Sequence, residues 1–324
     1  MRAWLGAVLL GLVLAGTAWA AGGPLSVTAP TEQLQAKVRV IVARAGERLA
    51  AWLGAHPPHI QVTVADTTAD FNQAAGRLGG PVWAGALASP AQGHILIRSP
   101  KQLSDPYRFQ PLLVHELAHL YLHAALKGVK APLWLEEGLA MHAAREGGWS
   151  LAAKLSRAVR VGELLPLAAI THRFPAEHDR ATLAYAESFY LVGFLMDRHG
   201  VEVLSEVVQG LAHGLGVSAS LRRATGLGLY ATQQAFFDHL HSRFGWLGWL
   251  LGDTVLWALM GLAAAVLLVL RWRVLRRRRG TAGQDEDEPN LENNGGRRWP
   301  PPRHRRDVLS EAGLGRRPSQ SSDK

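Results

Sequence analysis

The chain has 324 residues, is 48% hydrophobic and carries a formal net charge of +9. A chain of this length and composition has enough apolar side chains to bury a sizeable core, which excludes a wholly disordered protein. It contains no cysteine. Thiolate metal sites, disulfides and cysteine nucleophiles are therefore excluded, and metal ligands would have to be His, Asp or Glu.

The first twenty residues have the pattern of a secretory signal peptide. Arg2 precedes an apolar run, and the small residues of Ala-Trp-Ala, residues 18–20, suit cleavage before Ala21. An uncleaved signal anchor is the alternative, and it leaves the topology of the following region unchanged. Both alternatives place residues 21–245 outside the cytoplasm.

The exported region opens with a segment that we interpret as a linker. Residues 21–35 are rich in Gly, Pro, Ser and Thr, and one domain is predicted over residues 36–245. Apolar residues recur at helical spacing within residues 31–54, and residues 59–66 alternate as in a strand.

Two further strands are predicted before the chain becomes helical. They cover residues 81–89 and 93–99, with a hairpin-type connection between them. From residue 107 onward the pattern is nearly all helical, punctuated by Pro132, Pro166 and Pro175. Strands first and helices afterwards predict an α+β fold rather than a doubly wound sheet.

The sequence HELAH, residues 115–119, carries a candidate metal site. Four residues of α-helix advance about 6 Å and turn about 400°, so His115 and His119 project from one face and reach one metal ion. Glu116 points about 60° away from His119, which suits a base beside a metal-bound water. This pattern is typical of zinc-assisted hydrolysis of a carbonyl compound. The alternative is a buried helix whose histidines only form hydrogen bonds in the core.

Catalytic zinc sites usually have a third protein ligand. His123 is excluded, because it lies about 12 Å along the helix axis from His115. A metzincin pattern would require a histidine at the position of Ala125. The better candidate lies downstream, in the sequence APLWLEEGLAMHAARE, residues 131–146.

The combination of HELAH with WLEEGLA resembles the gluzincin metallopeptidases of the MA clan, and in particular the peptidase MA-like domains. The resemblance implies a zincin-like fold, in which a small N-terminal sheet is followed by helices that include the HExxH active-site helix. It implies Zn²⁺ held by His115, His119 and Glu137, with Glu116 as general base. Periodicity alone does not choose between Glu136 and Glu137, so Glu136 is the alternative ligand.

A weaker resemblance extends over residues 62–240. It implies that Tyr185 donates its hydroxyl to the tetrahedral oxyanion, although a tyrosine packed between helices is the alternative. Residues 85–89 correspond to the edge strand that pairs with substrate, with an ordinary hairpin as the alternative. Met141 stands where some gluzincins have an aspartate that orients a histidine ligand, so another residue must have that role.

The C-terminal region predicts a membrane anchor. Residues 246–270 are apolar apart from Asp253, which suffices to cross a bilayer as a helix. Residues 271–279 contain six arginines, which mark the cytoplasmic side, and residues 271–324 are interpreted as a basic, disordered cytoplasmic tail. The alternative for the arginine cluster is binding of nucleic acid or lipid head groups.

Three hypotheses follow from these features. The first is a single-pass zinc metallopeptidase of the cell membrane, whose extracytoplasmic domain takes peptide or protein substrates and for which no nucleic-acid partner is expected. The second is a catalytically silent zincin-fold module with a binding or chaperone-like role in the cell envelope. The third is a structural membrane protein in which the HExxH match is accidental.

Overall fold

A four-stranded mixed sheet forms the N-terminal part of the fold. The computed structural model describes residues 24–250 and 253–281, so the predicted signal peptide and most of the predicted tail lie outside the described residues. The strands are β1 (Leu25–Thr28), β2 (Ile60–Ala65), β3 (Ala86–Ser89) and β4 (His94–Arg98). Their order is β1-β2-β4-β3, with β1, β2 and β4 parallel and β3 antiparallel to β4.

Two helices make the connections that this topology requires, because parallel neighbours need a crossover. Helix α1 (Glu32–Leu53) joins β1 to β2, and helix α2 (Thr68–Leu78) leads from β2 to β3. Helix α1 begins where the Thr31 side chain accepts the Leu34 amide, and it ends at Gly54 in the left-handed region. The short connection between β3 and β4 confirms the predicted hairpin.

The rest of the domain is helical, as the sequence predicts. The helices of this part, within the described residues, are α3 (Phe109–Leu126), α4 (Leu133–Ala144), α5 (Trp149–Val161), α6 (His178–His199), α7 (Glu202–Ala212), α8 (Val217–Thr225) and α9 (Leu229–Leu250). Helix α3 packs against α1, α4, α7 and the strands β3 and β4, so it occupies the centre of the fold. Helix α4 packs closely on α6, where Gly138 lies against the Ser188 carbonyl.

The predicted linker over residues 21–35 is wrong for most of its described part. Leu25–Thr28 pairs with β2 as an edge strand, and Val27 is buried in the core. Helix α1 begins four residues before the predicted domain boundary. A four-residue edge strand with one buried side chain is too short to show a periodic pattern, which explains the error.

The C-terminal helix α10 covers Asp253–Thr281. Among the described residues it is the one helix long and apolar enough to cross a membrane, over Trp257–Arg276 with a mean hydropathy of 1.9. The predicted span over residues 246–270 differs at both ends, because residues 246–250 complete α9 and residues 271–281, assigned to the tail, are helical. A continuous apolar run does not reveal where one helix ends and the next begins.

Candidate metal centre

Helix α3 presents the two histidines of the HELAH sequence side by side. The ring centroids of His115 and His119 are 5.0 Å apart, with an interplanar angle of 65°. Their side chains are largely buried, with exposed fractions of 16% and 12%. The one-turn spacing thus brings both imidazoles to one point at the side of the helix.

Helix α4 adds a carboxylate at the same point. Glu137 Oε2 lies 3.6 Å from His115 Nε2. Ligand atoms of His115, His119 and Glu137 all lie within 4.8 Å of one another. Two imidazoles and one carboxylate are a donor set of catalytic zinc sites, so these side chains fit a zinc ion chemically. Glu136, the alternative ligand, is not part of this cluster.

Glu136 contacts the other side of the site. Its Oε1 lies 3.2 Å from His119 Nδ1. This contact has the distance of an ion pair but not the geometry of a hydrogen bond. His119 Nδ1 is therefore buried without a hydrogen-bond partner among the described residues. The two consecutive glutamates therefore lie in different places, Glu137 within the cluster and Glu136 beside the second nitrogen of His119.

Glu146 is a site residue that the sequence reasoning missed. His115 Nδ1 lies 3.2 Å from Glu146 Oε2, in hydrogen-bonding geometry. This contact occupies Nδ1 and leaves Nε2 facing Glu137, which orients the ring as carboxylates beside zinc-bound histidines do. Glu146 follows the end of α4, beyond Arg145 in the left-handed region, so no helical pattern in the sequence could have found it.

The two carboxylates raise the proton affinity of His115. Burial alone would lower the pKa of His115, but the close contact with Glu137, the hydrogen bond with Glu146 and the charges of the nearby carboxylates together outweigh burial and raise this pKa to about 10. The position at Nε2 is thus strongly favourable to a positive charge. A proton or a metal cation satisfies that electrostatic demand.

Glu116 lies between the histidines and strand β3. Burial raises the pKa of Glu116, while the imidazoles of His119 and His115 and a hydrogen bond from the Ala88 backbone oppose that rise. A carboxylate with increased proton affinity has the property that a general base requires. The contact with Ala88 also shows that the sheet edge adjoins the site.

Tyr185 comes from helix α6 and lies near Glu137. Burial raises the pKa of Tyr185, and the negative charge of Glu137 raises it further. The ring packs edge-on against Phe174 at a centroid distance of 4.9 Å, and 39% of the residue is exposed. The sequence left two alternatives for this tyrosine, a role in the site and packing between helices. The observed position agrees with both.

In the described part of the chain, two further histidines of α3 and α4 lie near the cluster in sequence but do not join it. His142 stacks on Phe189 at 4.1 Å and bonds to its carbonyl oxygen at 2.7 Å, which fixes it as a packing residue between α4 and α6. His123 lies on α3 outside the group of three. The structure thus collects the three predicted ligands and Glu116 from two helices, while their role as ligands and base stays a prediction.

Comparison with known proteins adds a family and one relative. The profile of the Peptidase MA superfamily matches residues 43–241, more than half of the chain. The uncharacterized protein YhcO of Bacillus subtilis (strain 168) is 31% identical over 111 residues, which are 33% of this chain and 33% of the relative. The chain therefore spans about a third of the length of that curated relative.

Proposed function

Since the chain belongs to the Peptidase MA superfamily, we propose that it is a membrane-anchored zinc metallopeptidase that hydrolyses peptide bonds outside the cytoplasm. The observation that carries this proposal is the convergence of His115, His119 and Glu137 within 4.8 Å beside Glu116. Zinc, when bound, would supply Lewis-acid activation of water and of the substrate carbonyl.

Each residue of the site then has a separate task. Glu116 accepts a proton during attack and delivers it to the departing amine, which its raised pKa supports. Tyr185 donates its hydroxyl to the oxyanion, which its position near Glu137 supports. Glu146 holds the ring of His115 through Nδ1.

The sheet edge suits an extended substrate. Strand β3 is the last strand of the sheet order and pairs with β4 on one side. Its free edge offers backbone donors and acceptors to a peptide, and Ala88 of this strand contacts Glu116. A peptide paired with β3 would therefore place its backbone beside the proposed base.

The C-terminal helix supports the membrane part of the proposal. Trp257–Arg276 has the length and hydropathy of a span, and the arginines of residues 271–279 favour a cytoplasmic C-terminus by the positive-inside rule. Tethering raises the local concentration of substrates in the same membrane, so we propose membrane or envelope polypeptides as natural substrates.

Metal analysis of purified protein tests this function. We expect one zinc per chain in the wild type and in Glu136→Ala, and loss of zinc in Glu137→Ala. Glu116→Gln should keep zinc but cleave labelled casein at least about 100-fold more slowly. His119→Ala should lose both zinc and hydrolysis.

The outcomes separate the three sequence hypotheses. Zinc without hydrolysis in the wild type would favour the catalytically silent binding module. Absence of zinc after loading would mean that HELAH is only a buried helix. A Glu116→Gln variant as active as the wild type would contradict the proposed mechanism.

A further inference from the structure

A cavity lies on a different face of helix α3 from the candidate metal centre. It has a volume of about 760 Å³ and lies between α1, the segment before α3, the first turns of α3 and the end of α4. Val114 lines this cavity, whereas the predicted ligands His115, His119 and Glu137 do not. Its volume is within the range of cavities that hold small organic ligands.

Four cationic side chains line this cavity. Lys37, Arg44 and Arg48 lie on one face of α1, at spacings of seven and four residues, and Arg145 reaches the cavity from the end of α4. No carboxylate lines the cavity in the described part of the chain, and none of the four cations forms a salt bridge there. No anionic side chain inside the cavity therefore compensates their positive charges.

Arg48 shows this lack of compensation most clearly. Its guanidinium donates to the Ala143 carbonyl, but its Nε is buried without a hydrogen-bond partner among the described residues. Burial lowers the pKa of Arg48, and the charge of Arg145 lowers it further. Arg145 itself has a positive φ of 58°, a conformation that is uncommon for a residue with a side chain. An anion between the two guanidinium groups would relieve their repulsion.

We propose that this cavity is a binding site for a phosphate group. Guanidinium groups bind phosphate oxygens in a bidentate way, and several of them around one cavity suit a group with more than one anionic oxygen. Tyr107 and Gln110 in the same wall add a hydroxyl and an amide. The confinement of the charges to one cavity favours a small ligand over nucleic acid, which requires a longer basic surface.

Two sources share this chemistry, a free phosphate compound and the head group of an anionic phospholipid. The site does not rest on the proposed peptidase activity, because its residues are separate from the predicted ligands and base. It also takes a different ligand from the metal centre, so an experiment can contradict the proposal for one site without contradicting the proposal for the other.

Calorimetry on the full chain in dodecyl maltoside tests the site. Inorganic phosphate is titrated at ionic strength held constant with sodium chloride, and we expect saturable binding of one phosphate per chain. Arg44→Gln/Arg145→Gln should weaken this binding by about tenfold or more. The control Arg77→Gln/Arg160→Gln removes the same charge from two exposed arginines elsewhere and should bind like the wild type.

Soluble short-chain lipids distinguish the two sources. Dihexanoyl phosphatidylglycerol that binds more tightly than inorganic phosphate, with the same dependence on Arg44 and Arg145, would assign the site to a lipid head group. Tighter binding of inorganic phosphate would assign it to a free phosphate compound. No saturable binding of either probe, or equal weakening by the control variant, would overturn the proposal.

Discussion

Three glutamates, one of them buried and two partly buried, differ in proton affinity because their neighbours differ. Burial would raise the pKa of Glu137, but the close contact with His115 and the charges of both histidines lower it overall. Burial dominates at Glu116 and raises its pKa against the same two imidazoles. Burial also raises the pKa of Glu187 to about 8, where the Leu165 amide only partly opposes it. The ligand candidate thus stays anionic, whereas the base candidate takes up a proton more easily.

Glu187 makes the free energy of unfolding depend on pH. This residue has no role in the predicted peptidase chemistry. It lies on α6, is fully buried and accepts the Leu165 amide at 2.8 Å. Since its folded pKa of about 8 is above the ordinary glutamate value of 4.5, the folded protein holds a proton that the unfolded chain releases. The contribution of this proton to the free energy of unfolding is complete below pH 4.5. It decreases by up to about 1.4 kcal/mol per pH unit as the pH rises, and it is lost at about pH 8.

Glu187→Gln should remove this dependence, because the amide keeps an acceptor for Leu165 but does not titrate. We expect a flatter profile of unfolding free energy between about pH 5 and 8 and a more stable variant at pH 8. Urea unfolding with metal removed by chelation measures this, with Glu163→Gln on the exposed surface as the control. The same pH profile in the wild type and in Glu187→Gln would contradict the expectation.

At the scale of single elements, the packing of α4 on α6 controls the position of Glu137. A Cβ atom at Gly138 would collide with the Ser188 carbonyl and would lie 2.7 Å from Val192 Cγ2. Backbone cannot move as a flexible side chain does, so a larger residue must separate the two helices. Glu137 is the preceding residue on α4, and α4 also packs on α3, so a shift of α4 relative to α6 changes the position of its carboxylate relative to the histidines.

Gly138→Ala should therefore lower the free energy of unfolding by about 1–3 kcal/mol and also weaken zinc binding. Gly76→Ala is the matched control, because Gly76 lies on α2, where an added Cβ atom would have nothing within 4 Å. Alanine there should stabilise the helix by up to about 1 kcal/mol. Urea unfolding without metal and zinc titration of the folded protein measure the two effects. Equal behaviour of both variants would show that the α4–α6 contact does not determine the position of Glu137.

Sequence patterns predicted the elements with strong periodicity and missed those without it. Strands β2 and β4 and helix α1 appear where the alternation and helical spacing place them, and the resemblance to the peptidase MA-like domains is confirmed by the family match. Strand β1 is too short for a period, and α2 carries only two buried side chains, Phe71 and Ala75. Such elements are fixed by tertiary contacts, which local patterns do not record.

The candidate site divides in the same way. His115, Glu116 and His119 share one helix, so their spacing predicts that they meet. Glu137 needed the family resemblance, because two consecutive glutamates have the same local pattern. Glu146 follows a turn whose geometry depends on Arg145 in the left-handed region, so its contact with His115 arises only from the folded chain.

At the scale of the whole molecule, charge and hydropathy are concentrated at the C-terminal end. Residues 271–279 contain six arginines and no acidic residue, and the whole chain has a net charge of +9. The preceding apolar segment of α10 is exposed, with Trp257, Leu262 and Leu267 between 62% and 70% accessible. Exposed leucines in a continuous helix are unfavourable in water, and the proposed membrane span would cover them with lipid.

A charge introduced at the centre of α10 tests whether this helix spans the membrane. Val266 lies near the middle of Trp257–Arg276, and Val274 lies near its C-terminal end. An arginine at the centre of a span costs about 2.5–3.5 kcal/mol, whereas an arginine near the end extends its side chain to the interface at little cost. Val266→Arg should therefore increase the fraction of the protein released from membranes by alkaline carbonate, and Val274→Arg should not. The two valines are matched sites, because both are about half exposed. Equal release of the two variants, or release of the wild type, would contradict a spanning helix.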